Sequence, residues 1–286
     1  MTYQFIAQHR QEFTVQRMCQ VLDVSESGYY AWKHRKPSRR TLANGHLATR
    51  ICQAHEASHR IYGSRRIQAE LLEQGDTCGR KRVVRLMRQL GICSRLRRRR
   101  IKTTDSQHSD PVAENLLGRN FTAETSNSKW VTDITGVWTA EGWLYLAVVL
   151  DLFSRSVVGW AMGAHRDAEL VEQALLMALA RRHPQPGLLH HSDRGSQYTS
   201  ARYQALLAEV GMRVSMSRKG NCYDNAAMES FFGSLKGEWT DQRNYQSHQE
   251  ARLSIFEYIE VFYNRQRRHS SLDYLSPVVY EQQQKG

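Results

Sequence analysis

From residue 129 onward the sequence repeats a pattern that few folds accept. Residues 130–138 (WVTDITGVW), 143–150 and 156–162 (SVVGWAM) are runs rich in β-branched and aromatic side chains, the composition of half-buried or buried strands. Their connections are short, Glu141-Gly142 marking the first turn, which predicts an antiparallel meander. Residues 169–182 then place Leu170, Ala174, Leu175, Ala178 and Leu179 at helical spacing. A short strand (188–193), a helix (200–210), another strand (212–217), a helix (225–239) and a final long helix (249–265) follow. Three strands and then two helix–strand alternations predict an α/β unit, a mixed five-stranded sheet flanked by helices.

The first hundred residues read differently. Val15, Met18, Val21 and Leu22 mark a short helix over 14–22, and Ser25 or Ser27 is placed to cap a second one running through Trp32. Residues 33–40, around Pro37, read as a basic hinge. A second pair covers 65–74, with Ile67, Leu71 and Leu72 on one face, and 79–90, with Val83, Met87 and Leu90. The outer side of the latter carries Arg80, Lys81, Arg82, Arg85 and Arg88. Two helices joined tightly, the second basic, suit a helix-turn-helix against a major groove, although many basic helices merely face water. Arg65 and Arg66 open the first helix of this pair and join the expected DNA contacts. Residues 94–110 lack apolar periodicity and contain Arg97-Arg98-Arg99-Arg100, a linker suited to phosphate. The expected division is therefore 1–44 and 45–93 (all-α, helix-turn-helix), 94–126 (linker), 127–242 (the α/β unit) and 243–286 (C-terminal helix and tail).

Charge separates along the same line. The 286 residues hold 40 Lys plus Arg and 28 Asp plus Glu, a net +12. Residues 1–105 hold 22 and 8 of these, and the remainder 18 and 20. All the excess lies in the first third, which points to a polyanion, attracted through counterion release. A solubility role would not require such segregation. No strongly apolar helical face accompanies the basic residues, so a membrane surface is a poor fit. The longest apolar run, residues 143–150, has eight residues against the roughly 20 of a span. His9, Arg10 and Glu12 interrupt the start where a signal peptide needs a continuous apolar stretch. Five scattered cysteines without a CxxC pair argue against a disulfide framework, and His55 and His59 lack the cysteine pair of a zinc module. A soluble cytoplasmic protein is expected, nucleoid-associated when bound to DNA.

Three acids stand where chemistry can use them. Asp133 interrupts the first core strand, an unusual place for a charge without compensation. Asp193 closes a strand just before Arg194-Gly195. Glu229 lies off the apolar stripe of Met228, Phe232, Leu235 and Trp239, on one line with Gly233 and Lys236. Oxygen-only ligation by gathered carboxylates selects Mg²⁺ or Mn²⁺, and a pair of such ions supports phosphodiester chemistry. Singly, each acid reads more readily as a turn cap or a solvated charge. Asp151 reads as a turn former or a partner of Arg155, and Asp224 as a cap of the helix near Asn225. His191 shares a strand face with Asp193 and is placed beside the expected metals as a supporting group. Gln197 and Tyr198 follow the Asp193 turn and are expected DNA contacts, while Trp138 and Trp143 are expected in the core.

The stretches Trp130-Val131-Thr132-Asp133-Ile134-Thr135, His191-Ser192-Asp193-Arg194-Gly195-Ser196-Gln197-Tyr198 and Asp224-Asn225-Ala226-Ala227-Met228-Glu229-Ser230-Phe231-Phe232 resemble the DDE signatures of bacterial insertion-sequence transposases. Thirty-five residues separate Asp193 from Glu229, the D,D(35)E spacing shared with retroviral integrases. Lys236 matches the basic position that follows the glutamate. The stretch Asn115-Leu116-Leu117-Gly118-Arg119-Asn120-Phe121, the triplet Arg267-Arg268-His269 and the opening Ser27-Gly28-Tyr29-Tyr30-Ala31-Trp32 extend the likeness over almost the whole chain. They resemble the second-frame (OrfB) product of the insertion-sequence-three family.

The resemblance implies an RNase H-like core in which Asp133 and Asp193 lie on neighbouring strands and Glu229 approaches from a helix. It further implies Mg²⁺-dependent cleavage at element ends, joining of a 3′-hydroxyl to another strand, and Lys236 near phosphate. Implied partners are double-stranded DNA (terminal inverted repeats and target), at least a second copy of the chain on DNA, and a first-frame (OrfA) product supplied as partner or fusion. Competing readings are an inactive DNA-binding regulator derived from a transposase, an RNase H-like nuclease without strand transfer and, more distantly, a serine or tyrosine recombinase.

Overall fold

The computed structural model describes residues 2–94, 112–218 and 222–284. Helices α1 (Thr2–Gln8), α2 (Val15–Val21) and α3 (Glu26–Lys33) close over a small core of Ile6, Met18, Cys19 and Tyr29. Ser25 is the cap of α3, its hydroxyl accepting from the Gly28 amide at 3.0 Å. The sequence reading did not foresee α1.

The hinge expected at 33–40 is shorter than supposed. Ser38 caps α4 (Arg39–Ala57), a 19-residue helix that crosses the division expected at residue 44. Its periodicity is hard to read because it buries only Leu47, Ile51, Ala54 and His55. Pro37 stands before the cap, where its missing N–H costs nothing. Against α4 pack α5 (Ser64–Glu73) and α6 (Arg80–Gln89), through Ile67, Leu71, Val83, Leu86 and Met87. These two helices lie within a residue or two of the expected pair.

The rest of the chain forms β1 (Lys129–Thr139), β2 (Gly142–Asp151), β3 (Val157–Gly163), α7 (Ala168–Arg182), β4 (Leu189–Ser192), α8 (Ser196–Thr199), α9 (Ala201–Glu209), β5 (Arg213–Met216), α10 (Ala226–Glu238), α11 (His248–Phe256) and α12 (Pro277–Gln284). The sheet order is β3-β2-β1-β4-β5. The three long strands pair antiparallel, and β4 joins β1 and β5 in parallel. The architecture is thus the expected mixed five-stranded α/β sheet.

Alternate side chains of β1 and β2 face opposite layers, as the period of two requires. Trp130, Ile134, Ala147 and Val149 pack with Val171, Ala174, Tyr203 and Leu207 from α7 and α9. Val131, Val137, Leu146 and Val148 pack with Met228, Phe231, Leu235 and Ile255 from α10 and α11. The last long helix is not uniform. After α11 it widens into a π-helical stretch at Glu257–Tyr263, and α12 follows where no element was expected.

The C-terminal segment also ties the helical unit to the sheet. Tyr62 Oη donates to the Gln266 carbonyl (3.1 Å) and accepts from the Arg268 amide (2.8 Å). The Arg268 guanidinium pairs with Glu70 at 2.8 Å and with Glu73. Arg267 and Arg66 converge on Glu238 of α10 at 2.6 and 3.2 Å. Among the described residues, no helix is long and apolar enough to cross a membrane.

Candidate active site

Parallel pairing sets the positions of two of the acids. Val131 of β1 lies opposite His191 of β4, so Asp133 and Asp193, each two residues farther on, are level with one another. β4 stops at Ser192, and Asp193 opens the turn, its Oδ1 accepting from the Gly195 amide at 2.9 Å. A Cβ at 195 would stand 2.7 Å from Gln197 Oε1 and 3.1 Å from that same Asp193 oxygen, so any larger residue there would push the Gln197 amide aside and crowd the carboxylate. Asp133 Oδ1 accepts from the Ile134 amide at 2.7 Å. Beside it, Asn225 Nδ2 donates to the Thr132 carbonyl at 3.3 Å and fixes the start of α10 against β1. Glu229, one turn into α10, is exposed.

Burial pushes the Asp133 carboxyl up to about 8. The charges of Asp193 and then Glu229 add to that rise, against the Ile134 N–H and the cation of Arg166. Among the described residues, no three His, Cys, Asp or Glu side chains are gathered into a ready metal cluster. Asp133 and Asp193 form the close pair, and Glu229 stands at its edge.

Two contributors escaped the sequence reading. Arg166, in the β3–α7 loop, accepts a bond from Gln197 Nε2 at its carbonyl (3.0 Å), while its buried Nε has no partner among the described residues. No spacing or periodicity marks it. Asp224 does not cap α10. The residue at the cap position is Asn225, which makes no side-chain cap bond. Asp224 instead receives the Arg218 amide (3.0 Å) and guanidinium (2.9 Å to each oxygen), Arg119 Nε (3.0 Å) and Asn115 Nδ2 (2.8 Å). Two guanidinium groups outweigh a helix-end N–H as partners for a buried carboxylate. With Arg218 foremost, they hold its carboxyl well below the usual range.

The remaining candidates divide clearly. His191 has one ring nitrogen 2.8 Å from Ser215 Oγ and the other 3.1 Å from Ser217 Oγ, and burial lowers its pKa to about 4, leaving it neutral. Lys236 is half-buried on α10, and Arg65, Lys81 and Arg85 are exposed. Arg82 donates to Asn44 Oδ1 at 2.9 Å, and Arg66 is engaged by Glu238. Tyr198 is fully buried, its Oη 3.3 Å from Thr132 Oγ1, so it lies beneath the acids rather than on the surface. Arg97, Arg98, Arg99 and Arg100 fall outside the described residues. Asp151 is a buried turn holder, accepting from the amides of Asn127 (2.8 Å) and Phe153 (2.9 Å), whereas Arg155 donates to the Phe121 carbonyl at 3.0 Å. Trp138 and Trp143 are not in the core. They are 61% and 50% exposed, because the β1–β2 hairpin that carries them runs beyond the rest of the sheet.

Comparison with known proteins places these features in context. Residues 123–222 and 210–277 match integrase core domain families, and residues 43–100 match an HTH-like domain. The chain is 47% identical to the insertion element IS600 uncharacterized 31 kDa protein of Shigella sonnei, over 93% of this chain and 97% of that protein. It is 44% identical to transposase InsF for insertion sequence IS3A of Escherichia coli K12, over 98% of each. Similar solved structures include a simian T-cell lymphotropic virus intasome in complex with PP2A regulatory subunit B56 gamma (18% identity, TM-score 0.47, 81% of this chain and 74% of that one). The BIV integrase catalytic core domain is another (17% identity, TM-score 0.41, 56% and 96%).

Proposed function

Because this chain belongs to the IS3-type family of insertion-sequence transposases, polynucleotidyl transferases that act in DNA transposition, we propose that Asp133, Asp193 and Glu229 form its catalytic centre. The observation that carries this reading is the β1–β4 register, which sets Asp133 and Asp193 side by side, with α10 tied to Thr132 immediately next to them. The donor set is all carboxylate oxygen, the chemistry of a hard divalent cation. We assign Mg²⁺ or Mn²⁺, two ions, to these three side chains. Bound there, the metal would activate water or a 3′-hydroxyl and stabilise the departing oxygen of a phosphodiester.

The chain's own groups do the positioning. Asp133 and Asp193 are oriented by the Ile134 and Gly195 amides. Arg166 brings a cation toward the Asp133 side, and Lys236 follows Glu229 along α10 toward the DNA backbone. The helix pair α5–α6 and the arginines at 97–100 contact duplex DNA at the element's inverted repeats and at the target. Residues 127–242 act as the catalytic core and the helices before them as the DNA-reading part. Joining two ends calls for at least a dimer on DNA, working with a first-frame (OrfA) product at the cytoplasmic nucleoid.

The test uses labelled element ends with Mg²⁺ and scores nicked and joined products separately. Asp133→Asn, Asp193→Asn and Glu229→Gln should each lower cleavage by at least about 10³-fold, the scale of several kcal/mol of transition-state stabilisation, while end binding persists. Full activity in any one of them removes that residue from the mechanism. Cleavage without joining in the unaltered protein would indicate a nuclease, and binding with neither product a regulator.

A further inference from the structure

Past the acids, β1 outlasts its neighbour. β4 ends at Ser192, whereas β1 and β2 run on to the turn at residues 140–141. β3 stays beside β2 as far as Tyr145, and only the last pairs, from Val137 and Leu144 onward, are left as a two-stranded ribbon. Beside this ribbon lies a groove of about 620 Å³, within the size range of sites that take small organic groups. The Ala140 amide, bonded to the Tyr245 carbonyl at 3.0 Å, pins its two walls together. Trp138 and Trp143, directly opposed in the β1–β2 register, line one side, and Lys236, Arg243 and Gln246 line another, with Asp241 the one acid among the lining residues.

The tryptophans are built in rather than left over. Their rings meet edge to face, with centroids 5.1 Å apart at 76°. A Cβ on Gly136 would come within 2.9 Å of the Trp143 ring, so that glycine makes the seat on which the indole rests. Trp130 and Trp239 are wholly buried, yet this pair leaves much of its apolar area in water, an arrangement that marks an interaction site. A second observation points the same way. Thr240 lines the groove, is only 5% exposed, and its Oγ1 has no hydrogen-bond partner among the described residues. Arg243 is held in place by stacking 3.9 Å from the Trp239 ring centroid and by donating to the Trp239 carbonyl at 3.2 Å.

We propose that Trp138 and Trp143 form a stacking platform for bases that leave the duplex in the strand being processed, with Thr240 and Arg243 meeting their edges or the adjoining phosphate. Two features favour DNA as the occupant. The groove presents cations, and one of them, Lys236, stands two turns beyond Glu229 on the same face of α10, so one wall of the groove is the helix that carries that acid. Trp138 lies five steps beyond Asp133 along β1, some 17 Å at about 3.4 Å each, the length of about five stacked nucleotides. Since the odd offset puts it on the alternate face, a DNA strand leading from the acids reaches the indoles around the edge of β1. Indole faces stack on any base, so the platform serves position rather than sequence. This inference rests on the assignment of the three acids as the catalytic centre.

The experiment uses the full chain and duplex element ends carrying 2-aminopurine singly at successive positions from the cleaved bond. Quenching should peak at one or two adjacent positions. Trp138→Ala should abolish the peak and weaken end binding at least about fivefold, and Trp138→Phe should restore both. Trp138→Ala is preferred to Trp143→Ala because the Trp143 ring also rests on the ribbon. An unchanged profile in Trp138→Ala overturns the proposal, as does one that Trp138→Phe fails to restore. So does a variant that binds DNA normally but no longer self-associates, which would give the pair to a second copy. Asp133→Asn separates the two readings. Retained cleavage there overturns the acid assignment, whereas the quenching profile reports only on the tryptophans.

Discussion

Asp224 concentrates more polar bonds than any other carboxylate described above, and its position explains why. From the turn that leads into α10 it reaches the folded stretch of residues 115–119 and Arg218 just past β5, so the helix carrying Glu229 is held at its root. Asp224→Asn should destabilise the protein at pH 7 by about 2–4 kcal/mol. That is below the full range for a broken buried pair, since Arg119 and Arg218 remain about half exposed. The folded-state carboxyl titrates below its unfolded value of about 3.9, so its contribution is complete above that pH and fades as pH falls toward the lowered value. Urea melts of the two proteins should differ most near neutrality and converge in acid. None of this could be read from the sequence, because Arg119 and Asn115 lie more than a hundred positions away. The three candidate acids could be singled out from the sequence because local motifs and one spacing mark them, and the pairing of β1 with β4 was foreseen for two of them. Trp138 and Trp143 were misjudged for a different reason. Hydrophobicity predicts burial only where another layer is available to provide it, and the ribbon is covered on the face of Val137 and Leu144 but not on that of Trp138 and Trp143.

At the scale of elements, the strands were legible to within a residue or two because β-branched runs are bounded by turns. Helix α4 was not, since a helix that buries four of 19 residues leaves a faint stripe. Nor was the widened turn after α11, which changes period inside an apolar stretch. The closest packing in the sheet is between β3 and α7. A Cβ on Gly159 would collide with the Ala174 carbonyl and approach the Ala178 Cβ and amide at 2.7 Å each. Backbone cannot move aside as a side chain does, so Gly159→Ala should cost about 1–3 kcal/mol, as overpacked cores do. The urea midpoint should fall while the dependence of stability on urea concentration stays unchanged.

For the whole molecule, charge segregation is the property that sequence alone conveys best. Lys81 and Arg85 are exposed on α6, within the region that matches an HTH-like domain. Replacing both by Gln should lower the slope of log binding constant against log salt by up to about two, roughly 0.9 for each phosphate no longer neutralised. An unchanged slope would place the duplex on another face. How the helical unit meets the sheet was not legible, because the seam depends on Tyr62, Glu70, Glu73 and Glu238 finding partners at residues 266–268. That seam bears on how the protein is made. Domains usually settle in order as the ribosome releases them. Here Arg66 meets its partner only at Glu238, and Tyr62, Glu70 and Glu73 meet theirs only at residues 266–268, so a nascent chain carries the two parts unfastened until those distant stretches have left the ribosome.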